Sequence, residues 1–406
     1  VPIILLPGVN REVARVLRGG SLAPFSGLAL HTDRQAVAAV SDPRFPGDGS
    51  AAVEMPGFLD RELRGVAVRG LQPLVDRLVR HGGYVRGDPD RPRDKSYPEN
   101  PPELRTDRSR AASLFVLYYD WRRDVTANAC ILADRVARVR AATGADRVLL
   151  VGHSLGGVIA RYYLRYGGGD AVWGGNCPLH SVPGGGTPDA PGAEKVARAV
   201  FLGAPHRGSA QAFRALLEDF ALFGVVNLGM RDAVVTMPVV WSMLPFPDAD
   251  GKVPILEGRD GEEALPLFSL RTWTERGWLR IGPGEGDRLP FVEAMLARAT
   301  GLQARMAGRQ LEEERVRRLN VGSDCRPTLA RALLGEGERL EFLGRGQSGH
   351  PLFARVTQPG DGVVSAESAL GLLPSPTLTS LAVCSSHSGY LEDPAILERV
   401  VDFLRG

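Results

Sequence analysis

The sequence predicts an α/β protein built on a mostly parallel central sheet with helices on both faces. Short apolar runs recur just before turn-forming residues, and amphipathic helical patterns separate them, which is the rhythm of strands joined by crossover helices. Apolar residues make up 44% and charged residues 24% of the 406 positions, enough to bury a core and too apolar for general disorder.

Val1 to Leu6 is the first apolar run, closed by Pro7-Gly8, and reads as a strand. Leu71, Leu74, Val75, Leu78 and Val79 then fall at i, i+3, i+4, i+7 and i+8, so one face of a helix there is apolar. From Arg86 to Arg110 the text turns to Pro, Asp, Arg and Asn without a period and predicts a solvated excursion. Leu114 to Tyr119 resumes a strand, Ile131 to Ala142 a helix, and Arg147 to Val151 another strand. Gly152-His153-Ser154-Leu155-Gly156-Gly157 follows, and Val158 to Tyr166 is helix-compatible. Gly167 to Gly192 is rich in Gly and Pro and predicts a loop. Ala199 to Leu202 is a strand stopped by Gly203-Ala204-Pro205. Arg318 to Val321 and Leu378 to Val383 read as the last core strands, and Ile396, Val400 and Leu404 mark a closing helix. Between Ser209 and about Arg317 lie helical patterns and apolar clusters: Phe220 to Val226, Val239 to Pro247, and Phe291 to Ala297. No internal repeat is visible.

Charge and cysteine usage exclude several functions. Lys and Arg number 49 against 47 Asp and Glu, a net +2, without the one-signed excess of a nucleic-acid-binding face. The longest apolar stretches fall short of the roughly 18 residues a membrane span needs. The chain opens in an apolar segment with no basic n-region, h-region or cleavage site, so no export signal is visible and a cytoplasmic setting is favoured. Cys130, Cys177, Cys325 and Cys384 are widely spaced and predict neither a zinc site nor a disulfide scaffold.

The pentapeptide Gly152-His153-Ser154-Leu155-Gly156 carries the chemistry. A serine at the apex of a sharp strand-to-helix turn needs small residues two before and two after it, so that strand and helix can cross closely, and Gly152 and Gly156 meet that demand. The motif also sits between a predicted strand and a predicted helix. That placement defines the nucleophile elbow of an α/β-hydrolase fold. A serine hydroxyl is a weak nucleophile and needs a general base held by an acid, here in the chain order Ser, acid, His. His387 lies just past the last predicted strand and is the candidate base. Two acids compete. Asp324 follows the Arg318 to Val321 strand, whereas Asp361 sits in Pro359-Gly360-Asp361-Gly362-Val363-Val364, and its flanking glycines favour it. For either, the plainer reading is an aspartate that stabilises its own turn. Two backbone N–H groups must face the developing oxyanion; Leu155 supplies one and Val9, after Pro7-Gly8, is the candidate for the other. His206 is a candidate pocket residue, and His153 is expected to pack beneath the elbow.

Together these segments resemble the lecithin:cholesterol acyltransferase family, which includes lysosomal phospholipases. The resemblance runs in order through Ile4-Leu5-Leu6-Pro7-Gly8, Met55-Pro56-Gly57-Phe58, Tyr119-Asp120-Trp121-Arg122, the elbow, and Phe201-Leu202-Gly203-Ala204-Pro205. It continues through Trp241-Ser242-Met243-Leu244-Pro245, Gly360-Asp361-Gly362-Val363-Val364, and the final histidine. It implies an acyl-enzyme cycle on Ser154, Asp361 and His387, with Val9 and Leu155 as oxyanion donors, and it selects Asp361 as the acid. Trp121, Trp241, Met243 and Leu244 become candidate substrate contacts, with core packing an equal reading for the last three. In this fold Cys325 and Cys384 end adjacent strands, so a disulfide between them is expected as one alternative.

The expected function is that of a serine-dependent lipid acyl hydrolase or O-acyltransferase. Its partners would be a lipid or other acyl ester, an alcohol acceptor, and a transient lipid interface met through apolar groups. It would need no metal and no organic cofactor. The alternatives are a small-ester carboxylesterase or lactonase and, from another class, a non-catalytic lipid-binding module on a hydrolase scaffold. Because Val9 and His387 must meet at one site, the organisation predicted is a single domain over 1–406 with a cap or lid inserted at approximately 209–317.

Overall fold

The structure is a computed structural model. It describes residues 1–8, 71–175 apart from 92, 108, 118, 120 and 122, 192–218, 235–247 apart from 236, 251–257, 261–279, and 288–406 apart from 310 and 336–338. In chain order its strands are β1 (Ile3–Leu6), β2 (Leu114–Val116), β3 (Val148–His153), β4 (Val196–Leu202), β5 (Val253–Glu257), β6 (Gly261–Leu265), β7 (Arg317–Ser323), β8 (Arg326–Leu329), β9 (Leu333–Leu334), β10 (Leu340–Glu341), β11 (Thr357–Gly360) and β12 (Leu378–Val383). Six of them form one sheet in the order β12-β7-β4-β3-β1-β2, with every neighbouring pair parallel.

The two-residue period of the strands sorts their side chains between two cores. Ile4, Leu6, Phe115, Leu150 and Phe201 face the helices α1 (Val125–Thr143) and α2 (Leu155–Tyr166). Ile3, Leu5, Leu149, Val151, Val200 and Leu202 face the helix over 71–80 and the closing helix, Pro394–Arg405. Burial on both faces explains why these strands read as continuous apolar runs rather than alternating ones. Helix α1 begins at Val125, earlier than its apolar period suggests, because Asp124 caps it by accepting from the Thr126 N–H at 2.7 Å.

The stretch Arg86 to Arg110 departs from the solvated loop expected of it. Asn100 is buried at its centre, accepting from Arg86 N at 2.8 Å and donating to the carbonyls of Arg86 and Lys95 at 2.8 and 3.0 Å. Arg86 also pairs with Glu99, and Lys95 donates to the carbonyls of Asp107 and Arg110. The segment is polar because its polar groups satisfy one another.

The region after β4 contributes α3 (Ala210–Leu217), α4 (Pro238–Ser242) and α5 (Arg288–Ala307), together with the β5–β6 hairpin of a second, four-stranded sheet. The expected apolar cluster Phe220 to Val226 lies outside the described residues. Trp241, Trp273, Trp278, Phe213 and Phe342 pack ring against ring with centroids 5.2 to 5.8 Å apart. Two buried ion clusters fasten this region to the sheet layer. Arg298 of α5, 1% exposed, donates to Asp124 at 2.8 and 3.2 Å, to Asp170 at 2.9 Å and to Thr126 Oγ1 at 2.6 Å. Glu313 accepts from Arg161 at 3.1 Å and Arg318 at 2.6 Å, and also from Arg165, gripping the far end of α2. Burial pushes the Glu313 carboxyl up, but the three arginines outweigh it and hold the group at about 2.

Cys325 and Cys384 are joined, with Cα atoms 5.2 Å apart. Ser323 of β7 pairs with Val383 of β12 in the sheet register, so the residues just past the two strand ends are neighbours. Cys130 is disulfide-bonded as well. The Cys325–Cys384 bond is the alternative raised from the fold resemblance, whereas wide spacing in the sequence concealed the bonding of Cys130.

Asp124→Ala should destabilise the protein by about 3–5 kcal/mol in urea unfolding, because it leaves a buried guanidinium with Asp170 as its one remaining carboxylate and removes the α1 cap. Burial raises the Asp124 pKa, but Arg298 overcomes this and lowers it. The stabilisation is therefore complete above the ordinary aspartate value of about 3.9 and is lost as pH falls through the lower folded value.

Candidate active site

Ser154 stands between the end of β3 and the start of α2 with φ 53° and ψ −125°. Among the described residues it is the one non-glycine with positive φ, the strained apex that the elbow requires. A Cβ on Gly156 would lie 2.4 Å from the Leu6 carbonyl oxygen and 2.7 Å from that of Pro7; one on Gly152 would lie 2.5 Å from the Gly156 oxygen. The two glycines thus bring β1, β3 and α2 to backbone contact at the serine. Gly8 abuts it directly, since an added Cβ there would be 2.6 Å from Ser154 Cβ.

His387 reaches the serine from the loop after β12. Its Nε2 lies 2.9 Å from Ser154 Oγ and its Nδ1 lies 2.8 Å from Asp361 Oδ2. Asp361 follows the ribbon formed by β8 and β11, which pair antiparallel. Its two oxygens divide the work. Oδ1 accepts from Val363 N at 2.8 Å and Val364 N at 2.7 Å, fixing its own turn, while Oδ2 receives His387 and the Tyr390 hydroxyl at 3.2 Å. The turn-stabilising aspartate and the histidine-facing aspartate are therefore one residue. Burial raises the Asp361 pKa, but His387 and the two turn N–H groups overcome this and hold it below the usual carboxylate range. It is a carboxylate at neutral pH. Asp324, the competing acid, is exposed.

Leu155 is the first residue of α2, so its N–H has no partner within the helix. Val9 lies outside the described residues, as do Asp120 and Arg122. Preceding Val9, the Pro7 carbonyl accepts from the Tyr119 hydroxyl, which holds that turn against the loop after β2.

The candidate pocket residues fare differently. His206 is buried, its Nε2 3.3 Å from Asn320 Oδ1 and its ring edge-on to Phe201, and burial drives its pKa down to about 3. It is tied into the sheet rather than open to a pocket, because Gly203-Ala204-Pro205 turns the chain inward. Trp241 is fully buried against Trp273 and donates to the Val235 carbonyl at 2.8 Å; Leu244 is fully buried too. For these two the structure shows core packing. Met243 and Trp121 are half-buried against the same cluster.

Two further side chains border the site: His153, expected beneath the elbow, and Tyr390, which the sequence reading missed. His153 is buried with Nε2 2.8 Å from the His387 carbonyl oxygen. Tyr390 is fully buried, and a Cβ on Gly203 (φ 55°) would sit 2.5 Å from its ring. The glycine of the Leu-Gly-Ala-Pro block is the one local signal for that packing. Among the described residues no cluster of His, Cys, Asp and Glu could hold a metal ion, and no helix is long and apolar enough to cross a membrane.

A parallel sheet of six strands, layered with helices and carrying a strained serine at the β3–α2 turn, defines an α/β-hydrolase fold. A sequence model of the lecithin:cholesterol acyltransferase family matches residues 108–260. This match supports an enzyme of the acyl-ester hydrolase or acyltransferase type. No curated protein matches the sequence. Among solved structures, the crystal structure of the Tle4-Tli4 complex is similar over 100% of this chain and 98% of that chain, with TM-score 0.51 and 14% identity, a likeness of fold. Bacillus licheniformis lipase BlEst2 in mature form is similar over 72% of this chain and 78% of that chain, with TM-score 0.34 and 15% identity.

Gly156→Ala should lower stability by about 1–3 kcal/mol, the range for overpacking a tight site, because the new methyl meets carbonyl oxygens that cannot move without displacing β1. Thermal unfolding measures it. Alanine is the better helix former, so a variant as stable as wild type would contradict this crossing.

Proposed function

We propose that the chain is a serine-dependent lipid acyl hydrolase or O-acyltransferase. The observation that carries this reading is the relay from Ser154 Oγ through His387 to Asp361, with steps of 2.9 and 2.8 Å, set at a strained elbow. His387 Nε2 takes the serine proton as Oγ attacks the ester carbonyl, and Asp361 Oδ2 stabilises the imidazolium that forms. The tetrahedral oxyanion rests on the Leu155 N–H and on the Val9 N–H. Collapse expels the alcohol, which takes its proton from His387 and leaves an acyl-enzyme. Water or a second alcohol then attacks with His387 again as base.

The match to the lecithin:cholesterol acyltransferase family model supports a lipid substrate over a small ester, and we assign the region after β4 as a cap inserted at about 209–317 in a single domain. A small-ester carboxylesterase or lactonase is the competing reading. Chain-length dependence separates the two, since a lipid enzyme gains in kcat/KM from butyrate to longer acyl chains. The disulfides favour an oxidising compartment over the cytoplasm expected from the sequence, because reducing cytosol keeps such thiols apart.

Ser154→Ala should abolish ester turnover while leaving the melting temperature near that of wild type, and Asp361→Asn should lower kcat about 10⁴-fold. A Ser154→Ala protein with wild-type rate would sink the mechanism. Products from phospholipid and neutral-lipid vesicles with an alcohol acceptor, resolved by mass spectrometry, separate the two reactions: a new ester establishes transfer, and free fatty acid alone rules it out. Intact mass of the unreduced protein should lie below its reduced mass by two hydrogens per disulfide; equal masses would remove the argument for an oxidising setting.

A further inference from the structure

We propose that His153, the residue before the elbow serine, is a positioning residue that braces the backbone of His387 against the turn at Gly8. The inference rests on reading Ser154 as the nucleophile.

The backbone of His387 is held at both of its polar groups. Its N–H donates to the Asp361 carbonyl at 3.2 Å, and its carbonyl lies 2.8 Å from His153 Nε2. A carbonyl oxygen only accepts, so the proton of His153 sits on Nε2 and Nδ1 is bare. That bare edge faces the turn after β1: a Cβ built on Gly8 would stand 3.1 Å from Nδ1 and 3.0 Å from the His153 carbonyl oxygen. One ring therefore spans from the turn leading to Val9 to the loop that carries the base. The two imidazoles lie with centroids 4.9 Å apart, tilted by 44°, and the Tyr390 ring closes the same space at 6.5 Å.

Neutrality is part of the arrangement. Burial, reinforced by the neighbouring His387, pushes the His153 pKa down to about 3. When His387 takes up the serine proton, His153 therefore adds no second positive charge beside it. A cationic residue in this place would oppose imidazolium formation, and an apolar one would leave the His387 carbonyl without its donor.

The test compares His153→Gln, His153→Asn and His153→Leu. The amide nitrogen of glutamine reaches about as far as Nε2, whereas that of asparagine falls short. Readouts are the second-order rate of phosphonylation by a fluorophosphonate, kcat and KM on p-nitrophenyl butyrate, and the melting temperature. Misplacing His387 by about 1 Å should lower kcat and phosphonylation roughly 10- to 100-fold in the Leu and Asn variants, with KM changed less than about twofold. The Gln variant should stay within about threefold of wild type. Equal losses in Gln and Leu, Asn as active as Gln, or a Leu variant with unchanged kcat each overturn the proposal. If the Leu variant fails to fold, the Gln and Asn pair decides it. Wild type unreactive toward both probes means that the serine reading itself has failed, a result distinct from reactive wild type with indifferent variants.

Discussion

The close crossing of β1, β3 and α2 is the constraint from which the rest of the site follows. Where the Gly156 Cα meets the carbonyl oxygens of Leu6 and Pro7, no room remains for even a methyl group. This contact forces Ser154 into a backbone conformation that L-residues avoid, at φ 53°. The strain is held because the surrounding layers allow no alternative: β3 is buried on both faces, and the far end of α2 is anchored through Arg161 and Arg165 to Glu313. Relaxing the serine would mean moving a helix that is pinned at its opposite end.

Acid and base are fixed by a different logic, one of shared groups. Asp361 uses one oxygen to hold its own turn and the other to hold the histidine, so the turn cannot loosen without releasing His387. Tyr390 adds a third hold on the same carboxylate, and it fits only because Gly203 leaves space for its ring. The Leu-Gly-Ala-Pro segment at the end of β4 thus serves the acid that follows β11.

The central sheet was legible because its strands are buried on both faces and read as unbroken apolar runs between turn residues. The elbow was legible because close backbone crossing demands glycine at fixed offsets. Asp361 was favoured over Asp324 by the glycines on both sides of it, and the family resemblance then selected it. What escaped the sequence was pairing over long distances between polar groups. Asn100 looks like any loop asparagine until its three backbone partners surround it. Arg298 reads as a surface residue of a helix, yet it is a buried hinge-pin between Asp124 and Asp170. His206 was drawn toward the pocket by its place at a strand end, and the inward turn at Gly203-Ala204-Pro205 buries it instead. The cysteines failed as a pattern because their closeness is set by strand register, which spacing does not encode.

The Cys325–Cys384 bond closes a covalent ring over a separation of 59 residues. Asp361 lies inside that ring and His387 follows three residues after it. In the unfolded chain a ring of this size removes conformational freedom equivalent to about 4 kcal/mol on a loop-entropy account. In the folded protein the bond ties the loop that carries the base to the end of β7 and encloses the acid in the same ring. Ser154, 233 residues away from His387 along the chain, enjoys no such tether. The site is thus an assembly of two parts, an acid–base pair fastened at the cross-linked ends of β7 and β12 and an elbow at the end of β3, with β4 between β7 and β3 in the sheet.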